Sequence, residues 1–359
     1  MNESGLLQDA VSRIFLDFYE NDRLNVARKD GWSAELWAVL EKTGMTLISV
    51  PESAGGSGGS IVDAAEVLRL AGKYCASVPL AETALLAGWA LAEAGLAIPS
   101  GPLAFGIVEP ISQIKLHRRE GAWWISGSMN NVPWARAASA VVLIIGSEAG
   151  SKVICAVAPN YRVEQRSNLA GEARDRIVFN EAKLDDAQVC SAPSITVDKA
   201  LQRGALARAV QMSGALDRIL EMTVEYAKQR AQFGRSIIKF QAVQQELAKL
   251  AGEAAIAKAS AMAAAAAVMA DKGADFAVSV AKIKTGEAAQ SGASIAHQLH
   301  GAIGVTDEYL LHHSTLRLWA WRSEYGSESY WADRLGKYAL NCGSTALWDE
   351  ITELVSAAK

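Results

Sequence analysis

Apolar and polar residues alternate with helical spacing along the N-terminal part of the chain. In "LLQDAVSRIFLDFYE" the apolar positions share one helix face: Leu6, Leu7, Val11, Ile14, Phe15 and Phe18. "SAELWAVLEKTG" predicts a second helix that begins at a capping serine, Ser33, and ends at Gly44. Ser60 is placed to cap a third helix over "IVDAAEVLRLAGKYC". Because Pro99 and the "SGP" after it mark a boundary, we predict an N-terminal helical domain over residues 1–98.

The period changes in the middle of the chain. The runs "PLAFGIVEP", "GAWWISGSM", "AASAVVLIIG", "KVICAVAP" and "DRIVFNEAKL" are short and rich in β-formers. Turn residues separate them at spacings of about ten, which is typical of an antiparallel barrel or sandwich. We predict a middle β domain over residues 99–197.

Helical periodicity returns in the C-terminal part. "LARAVQMSGALDRILEMTVEYAKQRAQ" and "QAVQQELAKLAGEAAIAKASAMAAAAAVMA" are long periodic segments. Alanine-rich helices have small faces that pack closely, which favours a helical bundle over residues 198–359. The order of helices, strands and helices predicts an α+β protein.

Composition and charge narrow the class of protein. A chain of 359 residues exceeds the usual size of a single hydrophobic core, so several domains are expected. Half of the residues are hydrophobic, and the net charge is −4. Lysine and arginine are scattered among acidic residues without a basic stripe, so we predict no nucleic-acid partner.

Cysteine spacing and the apolar segments indicate a cytoplasmic protein. Four cysteines stand far apart and predict free thiols in a reducing compartment: Cys75, Cys155, Cys190 and Cys342. The N-terminus lacks the basic and then apolar order of a signal peptide. Glu253 and Lys258 interrupt the alanine-rich stretch 251–270, which argues against a membrane span.

Four segments, in order along the chain, resemble motifs of the acyl-CoA dehydrogenase family. They are "MTLISVPESAGGSGGSIVDAAEVL", "WWISGSMNNVPWARAASAVVLI", "RAQFGRSIIKFQAVQQELA" and "QLHGAIGVTDEYLL". The resemblance spans nearly the whole chain. It implies a fold of N-terminal helices, a middle antiparallel β-barrel or sandwich and a C-terminal four-helix bundle. It also implies an FAD cofactor, an acyl-CoA substrate and a tetrameric assembly.

The third motif implies a contact with the FAD of a neighbouring subunit. By resemblance, Arg230 pairs with the pyrophosphate, and Phe233 lies against the ribityl or adenine portion of the flavin. Gly234 allows the backbone to turn or to come close where a side chain would clash. Gln232 and Gln241 belong to the same motif and are assigned to the cofactor site. The alternatives are an interface or solvated Arg230, a core Phe233, and a Gln241 packed within the bundle.

The fourth motif implies a second set of cofactor contacts. Gln298 reaches the adenine end, while Gly301 and Gly304 offer backbone N–H groups to the pyrophosphate. Ala302 replaces the second glycine of the family pattern. Four histidines lie nearby: His297, His300, His312 and His313. No carboxylate or cysteine completes a ligand set around them, so we predict no metal site.

The middle domain departs from the family pattern. Members that shelter the flavin carry a "T-E-P-G-A-G-S-D" type loop, whereas here Val108 stands at the threonine position, followed by Glu109 and Pro110. The main chain of Ile107 and Val108 is still expected to face the flavin ring. The second flavin-facing strand becomes "NVPW", in which Trp134 either stacks on the flavin or fills the core.

The reaction of the family requires a carboxylate against the α-carbon of the thioester, while the flavin N5 accepts the β-hydride. One family position precedes the glycine of "Y-E-G-(T/S)", and the corresponding stretch here is "SEYGSES". Tyr325 takes the base position, Glu324 lies one residue earlier, and Ser327 takes the hydroxyl position. The other position, counted back from Phe233, falls on Gly204, and no acid lies within four residues of it.

Glu324 is therefore the first candidate for the base, and Glu328 is the second. The alternative for Glu324 is a solvated acid paired with Arg322 or Lys337. Tyr325 is a poor base, since a phenol ordinarily loses its proton only near about pH 10, but it can donate a hydrogen bond. Tryptophans of the last helices either narrow a substrate pocket or pack in the core: Trp319, Trp321 and Trp331.

Three functions remain open on these residues. The first is an acyl-CoA dehydrogenase, a homotetramer that uses Glu324 and passes electrons to an electron-transfer flavoprotein. The second is a partner subunit without a complete site, in an α2β2 heterotetramer that acts on a bulky acyl-CoA such as one with a steroid side chain. The third is a flavin oxidase of the same fold, which would use an aspartate that this region lacks.

Overall fold

Ten helices account for most of the residues described in the computed structural model, which are 3–108, 113–147, 150–342, 348 and 352. They are α1 (Glu3–Asp17), α2 (Asn21–Asp30), α3 (Ala34–Lys42), α4 (Ile61–Lys73), α5 (Gly88–Glu93), α6 (Val197–Gln229), α7 (Gln241–Ala270), α8 (Ala274–His300), α9 (Leu311–Arg322) and α10 (Glu328–Cys342). A π-helical segment, Glu82–Ala87, precedes α5.

The N-terminal helices begin where their capping residues predict. The Ser33 hydroxyl accepts a hydrogen bond from the Leu36 N–H at 3.4 Å, at the start of α3. At the start of α4, the Ser60 hydroxyl accepts from the Asp63 N–H at 3.1 Å, and the Asp63 carboxylate accepts from the Ser60 N–H at 2.9 Å. This reciprocal capping box satisfies two backbone donors that a helix end leaves unpaired.

Eight strands form two four-stranded sheets: β1 (Leu103–Val108), β2 (Lys115–Arg119), β3 (Ala122–Pro133), β4 (Ala140–Ser147), β5 (Gly150–Val157), β6 (Arg162–Glu164), β7 (Arg174–Leu184) and β8 (Val189–Ala192). One sheet has the order β1-β4-β5-β8 and the other β2-β3-β7-β6. Leu143 and Ile154 of the first sheet share a buried cluster with Ile125, Ile177 and Phe179 of the second. The middle region is therefore a sandwich with one apolar core.

One strand pair differs from the antiparallel expectation. β1 and β4 are parallel, with Leu103 opposite Ala140 and Val108 opposite Ile145. Between them the chain forms the β2–β3 pair of the other sheet. It then returns to the first sheet in the same direction as β1, and a connection of this kind permits parallel pairing.

The chain divides into two compact units. One consists of residues 1–24, 65–76 and 205–359, and the other of residues 25–64 and 77–204. The first unit contains α7, α8 and α9, and the second contains both four-stranded sheets. The three-domain division with boundaries after residues 98 and 197 stays a prediction.

Small residues build the core between the long C-terminal helices. Ala254 and Ala257 of α7 share a buried cluster with Ala288 and Ala289 of α8 and with Leu318 of α9. The alanine-rich sequence thus allows close helix packing, as the bundle prediction requires.

Two further features concern α7 and the cysteines. α7 is long and apolar enough to cross a membrane by length and composition alone, but a helix of a soluble bundle passes the same test. Only 28% of the most apolar 18-residue stretch of α7 is buried within this chain.

Three cysteines are free thiols, as predicted: Cys75, Cys155 and Cys190. The side chain of Cys342 lies outside the described residues.

Candidate functional site

The segment 230–236 is a tight β-hairpin between α6 and α7. β9 (Ala231–Gln232) pairs antiparallel with β10 (Arg235–Ser236), with Gln232 opposite Arg235. The two turn residues, Phe233 and Gly234, have φ angles of 52° and 77°. A two-residue hairpin loop of this hand needs positive φ at both positions, which glycine adopts without strain. A Cβ at Gly234 would meet nothing within 4 Å, so the glycine serves the turn and not a close approach within this chain.

The hairpin presents an arginine and a phenylalanine to solvent. Phe233 is 91% exposed, which excludes a core position, and its ring centroid lies 6.2 Å from that of Phe240. The Arg230 side chain is exposed and makes no hydrogen bond or ion pair with the described residues. Its main chain is held, since its N–H donates to the Tyr226 carbonyl and its carbonyl accepts from Ile237, both at 2.8 Å. A backbone held by hydrogen bonds at its ends thus carries an exposed Phe233 ring, which touches Phe240 at its edge, and an Arg230 side chain without a hydrogen bond or ion pair to the described residues.

Both glutamines of this motif are exposed beside the hairpin. Gln232 lies on β9, and Gln241 is the first residue of α7. Since Gln241 is exposed, the alternative of packing within the bundle does not hold. The structure therefore brings Arg230, Gln232, Phe233 and Gln241 to one connection between two long helices.

The second cofactor segment follows the end of α8. Gln298 is exposed in the last turn of α8. The Gly301 N–H donates to the His297 carbonyl and so closes the helix end. Gly304 is buried, and a Cβ there would lie 3.0 Å from the His300 Cβ and 3.1 Å from Leu311 Cδ2. Gly304 is thus needed for close packing, while Gln298 is the polar side chain that remains accessible.

The neighbouring histidines are packing residues. His297 Nε2 lies 3.0 Å from the Thr315 hydroxyl, and the His300 ring stacks on Tyr226 at 4.4 Å between centroids. Burial lowers the pKa of both His297 and His300 from the ordinary value. Across the described part of the chain, no three histidine, cysteine or acidic residues are grouped as metal ligands.

The β1 candidates lie in the other compact unit. β1 is an edge strand of its sheet, and Ile107 and Val108 at its end pair with Ile144 and Ile145 of β4. Because an edge strand has a neighbour on one side only, the other side of its main chain retains hydrogen-bonding capacity. Glu109 and Pro110 lie outside the described residues.

Trp134 is buried in that same unit, with 3% of its surface exposed. Its main-chain N–H donates to the Ala173 carbonyl at 3.1 Å, and the Arg174 guanidinium lies 5.6 Å from the indole centroid. The buried indole Nε1 has no hydrogen-bond partner among the described residues. Burial favours the core interpretation of Trp134, and the unsatisfied N–H leaves one polar donor that a bound group can use.

The candidate base is held in an ion pair that the sequence did not reveal. Glu324 Oε2 accepts a hydrogen bond from Arg208 Nε at 2.7 Å. The Arg208 side chain is 1% exposed and that of Glu324 is 19% exposed. The expected partners are engaged elsewhere, since Arg322 pairs with Glu328 and Lys337 with Asp333. Pairing of Glu324 with Arg322 or Lys337 was therefore the wrong alternative.

Glu324 begins a sharp turn between α9 and α10. Tyr325 and Gly326 have φ angles of 54° and 96°. The Tyr325 carbonyl accepts the indole N–H of buried Trp331 at 3.0 Å, and a Cβ at Gly326 would lie 2.6 Å from that nitrogen. Both the backbone angle and the close indole therefore require glycine at position 326. Trp331 is a core residue that fixes the turn.

Ser327 and the other tryptophans have local roles. The Ser327 hydroxyl lies 2.9 Å from that of Ser329 and accepts from the Tyr330 N–H at 3.4 Å, at the start of α10. Trp321 is buried in the bundle core, whereas Trp319 is partly exposed. The core interpretation thus holds for Trp321 and Trp331.

Comparison with known proteins gives matches along most of the chain. The family models described as "Acyl-CoA dehydrogenase, N-terminal domain" and "Acyl-CoA dehydrogenase, C-terminal domain" match residues 2–97 and 195–329. Acyl-CoA dehydrogenase IpdE2 of Mycobacterium tuberculosis is 28% identical over 296 residues, which cover 81% of this chain and 82% of that protein.

Two solved structures contain chains of similar fold. The ChsE4-ChsE5 complex from Mycobacterium tuberculosis matches with a TM-score of 0.87 and 24% identity, over 96% of this chain and 99% of that chain. A variant described as the Tcur3481-Tcur3483 steroid ACAD matches with a TM-score of 0.84 and 25% identity, over 95% of this chain and 99% of that chain.

Proposed function

We propose, on the premise that this chain belongs to the acyl-CoA dehydrogenase family, that it is the partner subunit of a two-chain enzyme of that family. In such an assembly each FAD site is shared between unlike chains, and one chain supplies the catalytic carboxylate. The reaction is the α,β-dehydrogenation of an acyl-CoA thioester, with electrons passed to an electron-transfer flavoprotein.

The ion pair between Glu324 and Arg208 carries this proposal. A base must release its lone pair toward the α-proton of the substrate, and here the carboxylate is bonded to a guanidinium at 2.7 Å. Moving the carboxylate away would leave the buried Arg208 charge unpaired, a state that costs about 3–5 kcal/mol when one partner of a buried pair is deleted, and such a cost would be added to the barrier of proton abstraction. Tyr325, in register with the base position, has no carboxylate. We therefore assign the base to the second chain.

The exposed hairpin is the element that this chain contributes. Arg230 has no partner among the described residues, and a guanidinium binds a pyrophosphate through charge-assisted bidentate hydrogen bonds. Phe233, at 91% exposure, has a ring free to lie against the flavin of the neighbouring chain. Gln232 and Gln241 add exposed amides on either side. These residues fit FAD, which when bound supplies the acceptor for the β-hydride.

Each of the two compact units, taken by itself, carries further residues that we propose as cofactor contacts. Gln298 supplies its amide to the adenine end, while Gly301 and Gly304 shape the segment after α8. In the other unit, the main chain of Ile107 and Val108 has an unpaired edge, and Trp134 has a buried N–H without a partner among the described residues. Ser327 contributes indirectly, since its hydroxyl caps the start of α10 directly after the turn.

Similarity to these two structures supports the proposed kind of partner and of substrate. One is described as the ChsE4-ChsE5 complex, and the other, which carries two protein names, is described as a steroid ACAD. We propose an α2β2 assembly with a second acyl-CoA dehydrogenase-like chain, a bulky acyl group such as a steroid side chain, and a cytoplasmic location. The exposed apolar face of α7, which includes Ile256, would be covered by other subunits.

The test is to purify the chain alone and together with a co-expressed acyl-CoA dehydrogenase-like chain encoded beside it. We expect little FAD with the chain alone and a yellow α2β2 complex with the partner, seen by visible absorption and mass in solution. Glu324→Gln in the complex should retain acyl-CoA-dependent bleaching of the flavin. A yellow homotetramer that loses bleaching with Glu324→Gln would establish the self-sufficient dehydrogenase in its place.

A further inference from the structure

A row of residues on α8 faces the turn that carries Glu324. Lys282, Gly286 and Gln290 are spaced by four residues, so they share one face of the helix. Lys282 Nζ donates to the carbonyls of Arg322 at 2.6 Å and Gly326 at 2.8 Å. A single side chain thus joins the start and the end of the turn.

The other two members of the row fit the flanking side chains. Gln290 Oε1 accepts from Arg322 NH1 at 2.6 Å, and Arg322 also pairs with Glu328. A Cβ at Gly286 would lie only 2.0 Å from Glu328 Oε1, so glycine leaves the space that this carboxylate occupies. All three positions of the row therefore either bond to the segment 322–328 or leave space for it.

Lys282 is an unusual residue to bury, because its side chain is fully excluded from solvent. Burial is the largest cause that lowers its pKa, the carboxylates of Glu328 and Glu324 oppose the change, and the guanidinium groups of Arg208 and Arg322 add to it, so that the pKa is about 8. A buried ammonium is tolerated only where hydrogen bonds and opposite charges compensate for lost water. Here the compensating groups are the two turn carbonyls and the two carboxylates.

We infer that Lys282 is a positioning residue, which closes the turn 322–326 and thereby keeps Glu324 on Arg208. The two carbonyls that it joins are four residues apart; the left-handed residue Tyr325 lies between them, and the second carbonyl belongs to the left-handed Gly326. Without this bridge, no other side chain among the described residues bonds both ends of the turn. The functional meaning of the fixed turn rests on the proposed function, whereas the contact itself does not.

Trp331 provides a direct reporter, because its buried indole N–H donates to the Tyr325 carbonyl inside the turn. We would label the full chain with 15N-tryptophan, assign the Trp331 indole resonance with Trp331→Phe, and compare Lys282→Met with Lys284→Met. Lys284 is the matched control, since it lies on the same helix and pairs with Glu287 on an exposed face. Lys282→Arg tests whether a buried cation in the same place restores the turn.

We expect Lys282→Met to shift the Trp331 resonance and to speed exchange of its N–H by on the order of tenfold. Lys284→Met should leave both unchanged, and Lys282→Arg should restore them in part. An unmoved Trp331 resonance in folded Lys282→Met protein would overturn the inference.

If Lys282→Met does not fold, the wild-type chain supplies the test. Its Trp331 resonance should titrate with a midpoint near about 8, the pKa of Lys282. The other charged groups that face Lys282 are Glu324, Glu328, Arg208 and Arg322. A resonance that stays constant from about pH 7 to 9.5 overturns the assignment. Formation of a flavin-containing homotetramer would refute the proposed function but leave these Trp331 results intact.

Discussion

At the scale of single residues, Arg208 and Glu324 each lie near one of the two positions where the family resemblance places the base. Arg208 lies one helical turn after Gly204 on α6, where the family resemblance places one possible base, and Glu324 adjoins the other. In this chain the two places meet as an ion pair at 2.7 Å. A guanidinium that is 1% exposed needs an opposite charge, so Glu324 compensates Arg208.

The first prediction concerns this pair. Arg208→Met should lower the free energy of unfolding by about 3 kcal/mol, because it leaves a partly buried carboxylate without its guanidinium. Adding Glu324→Gln in the same chain should recover part of this loss, as urea denaturation of the four chains of a double-mutant cycle will measure. Additive losses would show that the two side chains do not interact. Lys337→Met, which breaks an exposed pair with Asp333, is the control without an expected effect.

The second prediction concerns the pH dependence of stability at Lys282. Its pKa is about 8 in the folded chain and 10.5 ordinarily, so between these values the unfolded chain binds a proton that the folded chain does not. The free energy of unfolding should therefore rise with pH in this window, by at most about 1.4 kcal/mol per pH unit. Lys282→Met should lack this rise. Urea denaturation at about pH 7.5, 8.5 and 9.5 will measure the free energy of unfolding of the wild type and of Lys282→Met. A difference between the two chains that stays constant over these pH values would contradict the prediction.

Sequence reasoning located the segment of the candidate base but neither its turn nor its contacts. "SEYGSES" and its glycine are local signals, and Gly326 has a positive φ. Arg208 lies 116 positions away from Glu324 along the chain, and only the packing of α6 brings the two together. Arg322 and Lys337 were expected as partners because they are near in sequence, which is a weak guide between helices. Lys282 carried no signal because an isolated lysine in a helical pattern predicts exposure.

At the scale of elements, local signals gave reliable predictions and pairing between distant segments did not. Ser33 and Ser60 start helices because their side chains satisfy backbone donors within three residues. The hairpin at 231–236 follows from Gly234, although the segment has an otherwise helical pattern. The parallel pairing of β1 with β4 depends on a connection through the other sheet, and no short stretch of sequence encodes it.

Gly234 and Gly252 offer a matched pair for the third prediction. An added Cβ meets nothing within 4 Å at either position, but only Gly234 has a positive φ. Gly234→Ala should therefore destabilise the isolated chain by about 1–2 kcal/mol through the left-handed backbone. Gly252→Ala, inside α7, should stabilise it by about 0.5–1 kcal/mol. Urea denaturation of each variant will measure both changes in the free energy of unfolding. Equal changes for the two substitutions would contradict the left-handed backbone at Gly234.

At the scale of the whole molecule, the chain exposes the residues that the family resemblance assigns to the cofactor and pairs its own candidate base with a buried arginine. Arg230 faces solvent without a hydrogen bond or ion pair to the described residues, and Phe233 is 91% exposed, whereas Glu324 is engaged by a buried cation. The exposed side chains of Arg230 and Phe233 are therefore available for contact with a second protein chain. The arrangement favours a chain that completes a site in its neighbour.

The fourth prediction follows from this division. Phe233→Ala should leave the stability of the isolated chain nearly unchanged, because the ring is 91% exposed. In the two-chain complex it should weaken FAD retention by on the order of tenfold or more, as removal of a central aromatic contact does. Absorbance at the flavin band of the purified complex measures this. Leu169→Ala, which removes an exposed apolar side chain in the other compact unit, is the control, and equal FAD loss in both variants would contradict the prediction.

The exposure of Phe233 and of the apolar face of α7 has a consequence for production of the protein. Exposed apolar surface is what chaperones and proteases recognise on incomplete proteins. Under the proposed assembly, copies of this chain made in excess of the partner keep that surface uncovered. The amount of this subunit in a cell would then follow the supply of its partner, so quality control would set the stoichiometry that the enzyme needs.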